Sequence, residues 1–128
     1  MDCPHCGGPT RTFAVPAALR DHAPGAAAAV CTDCLLVHDT DGAAEGVVTD
    51  LSDALPADAD AAAAAVLLAG ALDSVASNRR TLEALAAFLE DAGVDPALTV
   101  ERLAADGAFE PAVALETRYE QFRQLREA

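Results

Sequence analysis

Four cysteines, arranged as two Cys-x-x-Cys pairs, are the residues of this sequence best suited to chemistry. The pairs occupy residues 3–6 and 31–34, and 24 residues lie between them. Each short turn lets two sulfurs converge on one ion, and a hairpin can bring the two turns together. Tetrahedral Zn²⁺ binds four thiolates in this way and then has no coordination position left for water or substrate. The spacing therefore predicts one structural zinc ion, with the ligands Cys3, Cys6, Cys31 and Cys34.

The two turns resemble the knuckles of the zinc-ribbon family, which have the form Cys-Pro-x-Cys-Gly, and the resemblance covers residues 3–38. Gly7 follows the first pair and suits a tight turn, because glycine tolerates a positive φ. Leu35 departs from the pattern, since many ribbons have Gly at this position. A left-handed Leu costs about 1 kcal/mol, and metal binding can offset that cost many times over.

Other uses of the same cysteines remain open. An iron site of the rubredoxin type takes the same four ligands. Residues 3–6 also have the form seen in thiol oxidants of the thioredoxin superfamily, but no strand precedes them and the second pair competes for them. Three histidines are spare ligand candidates: we interpret His5 as solvent-facing, and His22 and His38 as surface residues.

The charge balance argues against nucleic acid as a partner. The chain has 8 basic residues, all of them Arg, against 21 acidic ones, so its net charge is −13. Binding to phosphate needs clustered Lys or Arg, and the ribbon region has only Arg11 and Arg20. The acidity, with no Lys and no Ile, resembles proteins of salt-in halophilic archaea, where concentrated KCl screens the repulsion.

No targeting or membrane segment is visible in the sequence. The N-terminus has neither a basic region nor an apolar core. The longest apolar run, Ala61 to Leu72, is mostly Ala and is shorter than the roughly 20 residues that a membrane span needs. We therefore expect a cytoplasmic protein.

The first half of the chain reads as short strands around the cysteine pairs. Alternating and extended patterns predict strands over Thr10–Val15, Ala26–Val30 and Leu35–Val37. Pro16–Gly25 reads as a loop or a short helical turn, and Val47–Thr49 is a candidate final strand.

The second half reads as four helices. They span about Ala57–Ala76, Ser77–Ala92, a stretch from Pro96 to Gly107, and a stretch from near Pro111 to the C-terminus. Asp58 or Asp60 is the candidate N-cap of the first helix and Asp95 that of the third, while Gly93 fits the end of the second. The predicted fold class is α+β: a small three-stranded antiparallel zinc ribbon in a domain over residues 1–50, followed by a compact bundle of about four helices in a domain over 51–128.

The pair Arg79-Arg80 stands at the start of the second helix, where positive charge opposes the helix dipole. This placement indicates a local need, such as pairing with Asp73 or contact with a partner.

The helical half is similar to an uncharacterised haloarchaeal family, a domain of unknown function with an N-terminal zinc ribbon and a helical C-terminal part. The resemblance rests on residues 72–74, 78–79, 82–85, 92–98 and 102–106. It implies a cytoplasmic protein of a halophile and carries over no activity.

These observations favour a non-catalytic adaptor or regulatory protein that binds another protein. No catalytic constellation and no Gly-rich phosphate loop is present, so we expect no enzyme activity. One alternative is an accessory factor of transcription or translation that contacts nucleic acid through Arg11, Arg20 or the pair Arg79-Arg80. Another alternative is a thiol-based redox sensor that releases zinc on oxidation.

Overall fold

A three-stranded antiparallel sheet precedes four helices, which confirms the predicted α+β class. The computed structural model describes residues 2–42 and 45–127. The strands are β1 (Thr10–Ala14), β2 (Ala27–Cys31) and β3 (Val37–His38), and β2 lies between the other two. The central strand is buried along its whole length, as a strand covered on both faces should be.

Two strand predictions are corrected by turns. Strand β3 begins later than predicted, because the amide of Cys31 donates to the carbonyl of Leu36 (2.9 Å) and closes a turn before Val37. The candidate strand Val47–Thr49 is not a strand. The chain turns there instead, since the amide of Leu51 donates to the carbonyl of Val48 at 3.0 Å.

The four helices are α1 (Ala59–Ala71), α2 (Arg79–Asp91), α3 (Pro96–Ala105) and α4 (Leu115–Glu127). A 3₁₀ turn follows α1 at Leu72–Ser74, and another covers Ala17–His22 within the first half. Among the described residues, no helix combines the length and apolar character needed to cross a membrane.

Local capping chemistry sets three of the helix boundaries. Of the two candidate caps of α1, Asp58 is the one used, and its carboxylate accepts the amide of Ala61 at 2.9 Å. Asp95 caps α3 in the same way through the amide of Leu98, at 3.2 Å. Gly93 follows α2 with φ +79°, the left-handed conformation that ends many helices.

The sequence predicts that α4 begins near Pro111, but the helix begins at Leu115. The preceding residues are held by the ribbon: the amide of Glu110 donates to the carbonyl of Asp33 at 2.7 Å, and that of Ala112 to Cys34 at 3.1 Å. These bonds hold the segment before α4 against knuckle-forming residues of the ribbon, and the helix begins after it. We call residues 106–114 the α3–α4 loop.

Helix α1 is the centre of the molecule. Residues 61–70 are all buried, and most of them are Ala, so neighbouring elements approach the helix closely on every side. At Gly70 the approach requires glycine, because an added Cβ would lie 2.6 Å from Cγ2 of Val37. One hydrophobic core thus includes Phe13 of the sheet and Leu68 of α1. This core crosses residue 50, and the division into domains at that residue stays a prediction.

Candidate metal centre

The four cysteine sulfurs predicted to bind metal converge on one point. All four Sγ atoms lie within 4.8 Å of one another. The Sγ atoms of Cys3 and Cys34 are 3.7 Å apart, and those of Cys6 and Cys31 are 3.4 Å apart. Four ligands at about 2.3 Å from a tetrahedral ion would be about 3.8 Å apart, whereas a disulfide needs about 2.05 Å. The separations fit a shared ion, and all four cysteines are free.

The two cysteine turns have the same backbone hydrogen bonds. In each, the amide four residues after the first cysteine donates to that cysteine's carbonyl: Gly7 to Cys3 at 2.8 Å, and Leu35 to Cys31 at 3.0 Å. In each, the first cysteine's own amide donates to the carbonyl five residues later. Gly7 has φ +78° and Leu35 has φ +66°, so the left-handed Leu considered from the sequence is confirmed. We call residues 3–8 knuckle 1 and residues 31–36 knuckle 2.

Backbone amides point at the sulfurs. The amides of Asp33 and Cys34 both lie 3.4 Å from Sγ of Cys31, and the amide of Gly8 lies 3.4 Å from Sγ of Cys6. Such N–H groups stabilise the thiolate form, which is the form that binds a metal.

Three of the four thiols have shifted pKa values, and the shifts differ in direction. Burial raises the pKa of Cys3, but amide bonds from Cys6 and His5 and contacts with His38 and Cys34 outweigh it and lower the pKa to about 6. Burial raises the pKa of Cys34 far above its usual range. At Cys6 the Gly8 amide lowers the pKa, but the Cys31 sulfur and partial desolvation leave it raised. A divalent cation would supply the positive charge that lets all four groups ionise together.

The two knuckles differ in exposure. Cys3, Cys31 and Cys34 are buried, while Cys6 is exposed. The α3–α4 loop lies over knuckle 2 through the two amide bonds from Glu110 and Ala112, and Ala112 packs against the buried cysteines. Sequence reasoning missed this cover, because nothing in the spacing of the cysteines indicates a contact with residues so far along the chain.

The histidines separate into three environments. His5 is exposed, as expected. His22 lines a surface cleft of about 380 Å³, together with residues such as Val37 and Asp73. His38, interpreted from the sequence as a surface residue, is half-buried like His22, but its Nε2 lies 3.3 Å from Sγ of Cys3. Its position four residues after Cys34 was the available signal.

Three of the four arginines suggested for nucleic-acid contact are engaged within the chain, and the fourth, Arg80, is exposed. Arg11 forms an ion pair with Asp50, and Arg20 donates to the carbonyl of Val15. Arg79 forms an ion pair with Glu83 at 3.4 Å, and not with Asp73. It also donates to the carbonyl of Leu125 at 2.8 Å, which connects α2 to the end of α4. The local need behind its unfavourable helix position is therefore this tertiary contact.

Comparison with models of protein families gives a match that covers nearly the whole chain. Neither the curated proteins nor the solved structures gave a match to this chain. A family model matches residues 2–126, which includes both knuckles, the first three helices and all but the last residue of α4. The chain therefore belongs to DUF6276, a family of unknown function.

Proposed function

We propose that the protein is a non-catalytic adaptor or regulatory protein that acts through protein–protein contacts, with one structural zinc ion held by Cys3, Cys6, Cys31 and Cys34. The observation that carries the proposal is the convergence of four thiol sulfurs within 4.8 Å. When four protein sulfurs fill the coordination sphere, none of its positions is open to substrate. The bound ion would then act as a crosslink between the two knuckles.

The cover over knuckle 2 supports a structural role. Two backbone amides of the α3–α4 loop donate to the carbonyls of Asp33 and Cys34, so a metal that fixes knuckle 2 also fixes the approach to α4. A catalytic zinc needs access for substrate, whereas here three of the four ligands are buried. Zinc is the ion that we favour over iron, since it is the commoner occupant of closed four-cysteine sites.

The contacts that the arginines make within the chain support a protein partner over nucleic acid. Six of the eight Arg side chains donate to carboxylates or backbone carbonyls within the chain, and the net charge is −13. A surface that binds phosphate needs free cations, because the affinity comes from the counterions that they displace.

The experiment is an affinity purification of the tagged protein from its native host in molar KCl, followed by reconstitution with the purified candidate partner. A Cys31→Ser/Cys34→Ser variant serves as the control for the metal centre, and half of each lysate is treated with nuclease. A partner that resists nuclease and binds the purified protein directly would support the proposal. Recovery that depends on nucleic acid would contradict it and favour an accessory factor of transcription or translation.

The exposure of Cys6 favours a second candidate function, a thiol-based redox sensor. An accessible ligand thiol is the one that an oxidant reaches first, and its oxidation would weaken the hold on the metal. The test is zinc release under mild peroxide, with recovery after a reductant is added. Reversible release, with the first oxidised sulfur found at Cys6 by mass spectrometry, would support the sensor, whereas zinc that stays bound would exclude it.

A further inference from the structure

The side chain of His38 contacts the metal centre from outside the four-cysteine set. Its Nε2 lies 3.3 Å from Sγ of Cys3, which is itself buried. Strand β3 holds the imidazole in place, because His38 pairs with Ala29 of β2 and the preceding Val37 packs on Gly70 of α1. The imidazole is therefore fixed by the sheet and by the central helix rather than by a mobile loop.

The chemistry of the contact follows from the state of the sulfur. A metal-bound thiolate carries lone pairs and no proton, so a hydrogen bond at this position requires that Nε2 carry the proton and donate it. Such a bond withdraws charge from the sulfur and resists its movement away from the metal. Cys3 also receives amide bonds from His5 and Cys6. Of the four sulfurs, Cys3 is the one to which the described residues bring a side-chain nitrogen.

We propose that His38 is a positioning residue of the metal centre, which donates Nε2–H to the Cys3 thiolate and slows the release of the metal. This inference rests on the metal centre of the proposed function. It assigns unequal roles to the ligands: Cys3 is buried and braced by an imidazole, while Cys6 on the same knuckle is exposed. Metal exchange would then begin at Cys6, and His38 would keep Cys3 bound while Cys6 is free.

The test compares metal release from the zinc-loaded full chain with release from three variants. His38→Phe keeps a ring but removes the donor, His38→Gln keeps an N–H donor, and His22→Phe is a control at a histidine outside the metal centre. We expect His38→Phe to release zinc to excess chelator about 10-fold faster than wild type. His38→Gln should recover part of the difference, and His22→Phe should behave as wild type. Equal rates for His38→Phe and wild type would overturn the proposal.

A spectroscopic readout separates bracing from a general loss of packing. In the Co²⁺-loaded proteins, His38→Phe should shift the sulfur-to-cobalt charge-transfer bands while the tetrahedral bands keep their intensity, and His22→Phe should shift neither. If His38 were itself a ligand, its replacement would change the tetrahedral bands, which contradicts the proposal.

Nitrogen NMR of the zinc-loaded wild type needs no variant and stands even if His38→Phe fails to fold. We expect the His38 tautomer with the proton on Nε2, and a proton on Nδ1 alone would overturn the proposal. Wild type that binds no stoichiometric metal would instead contradict the proposed function, so the two failures are distinguishable.

Discussion

Knuckles 1 and 2 have the same backbone and opposite surroundings. Both close with the same two hydrogen bonds and a residue at positive φ. In knuckle 1 that residue is Gly7, where an added Cβ would meet nothing within 4 Å. In knuckle 2 it is Leu35, which is 2% exposed and belongs to the main core. The same ligand turn thus has its positive-φ residue in open space in knuckle 1 and in the core in knuckle 2.

The balance between backbone strain and side-chain burial explains why the two knuckles have different residues at positive φ. A left-handed leucine is strained by about 1 to 2 kcal/mol, whereas burial of a leucine side chain contributes about 1.5 to 3 kcal/mol. Burial outweighs strain at Leu35, so a large residue is stable there even though glycine would fit the backbone better. At Gly7 a larger side chain would not be buried, so glycine, which adopts positive φ without strain, is the more stable residue.

The largest expected effect is loss of the metal, and it should spread through knuckle 2. We expect chelation to unfold the ribbon, because structural zinc contributes about 10 kcal/mol or more to the folding of such small sites. Hydrogen exchange should show lost protection in the α3–α4 loop as well as in the sheet, since the loop amides bond to knuckle 2. Cys34→Ser should reproduce this loss more fully than Cys6→Ser. Native-like circular dichroism and protease resistance after complete chelation would contradict the structural role.

Substitution of Leu35 should reverse the usual ranking of alanine and glycine. Leu35→Ala removes a buried side chain and keeps the strain, at a cost of about 2 to 5 kcal/mol in the free energy of unfolding. Leu35→Gly makes the same cavity but relieves about 1 kcal/mol of strain, so it should be the milder change. Denaturation of the zinc-loaded proteins at fixed free zinc measures both. A more damaging glycine would mean that the positive φ carries no strain.

The contact between β3 and α1 should resist even one added methyl group. Gly70→Ala places a Cβ against Val37, including its backbone nitrogen at 3.3 Å. We expect a loss of about 1 to 3 kcal/mol, typical of overpacking in a core. Gly107→Ala is the matched control, because an added Cβ there would meet nothing within 4 Å. Thermal unfolding of the two zinc-loaded variants gives the comparison. Equal stabilities would argue against close packing of β3 on α1 at Gly70.

The smallest expected effect is at knuckle 1. Gly7→Ala should cost about 1 kcal/mol, all of it from backbone strain, since the space around Gly7 is open. Gly7→Leu should cost a similar amount, because the larger side chain extends into solvent. If Gly7→Leu proved far more destabilising, knuckle 1 would lie against a surface, and the contrast with knuckle 2 would fail.

Local chemistry explains what could be predicted from the sequence. Asp58 and Asp95 cap helices through their own carboxylates, and the two Cys-x-x-Cys spacings bring the ligands together. Each of these features depends on residues within one turn of chain, or on a ligand set that an ion can gather.

Contacts between distant segments explain what could not be predicted. The path of the chain before α4 depends on amides that bond to knuckle 2. The position of His38 beside Cys3 depends on the register of β3 against β2. The burial of α1 on every side has no periodic pattern to reveal it, because alanine fills each face of the helix.

The most direct test of the central claim is X-ray absorption at the zinc edge on protein purified without added metal, together with elemental analysis. We expect one zinc per chain with four sulfur neighbours at about 2.3 Å. A site with fewer than four sulfurs, or a chain that retains no stoichiometric metal, would contradict the closed four-cysteine centre.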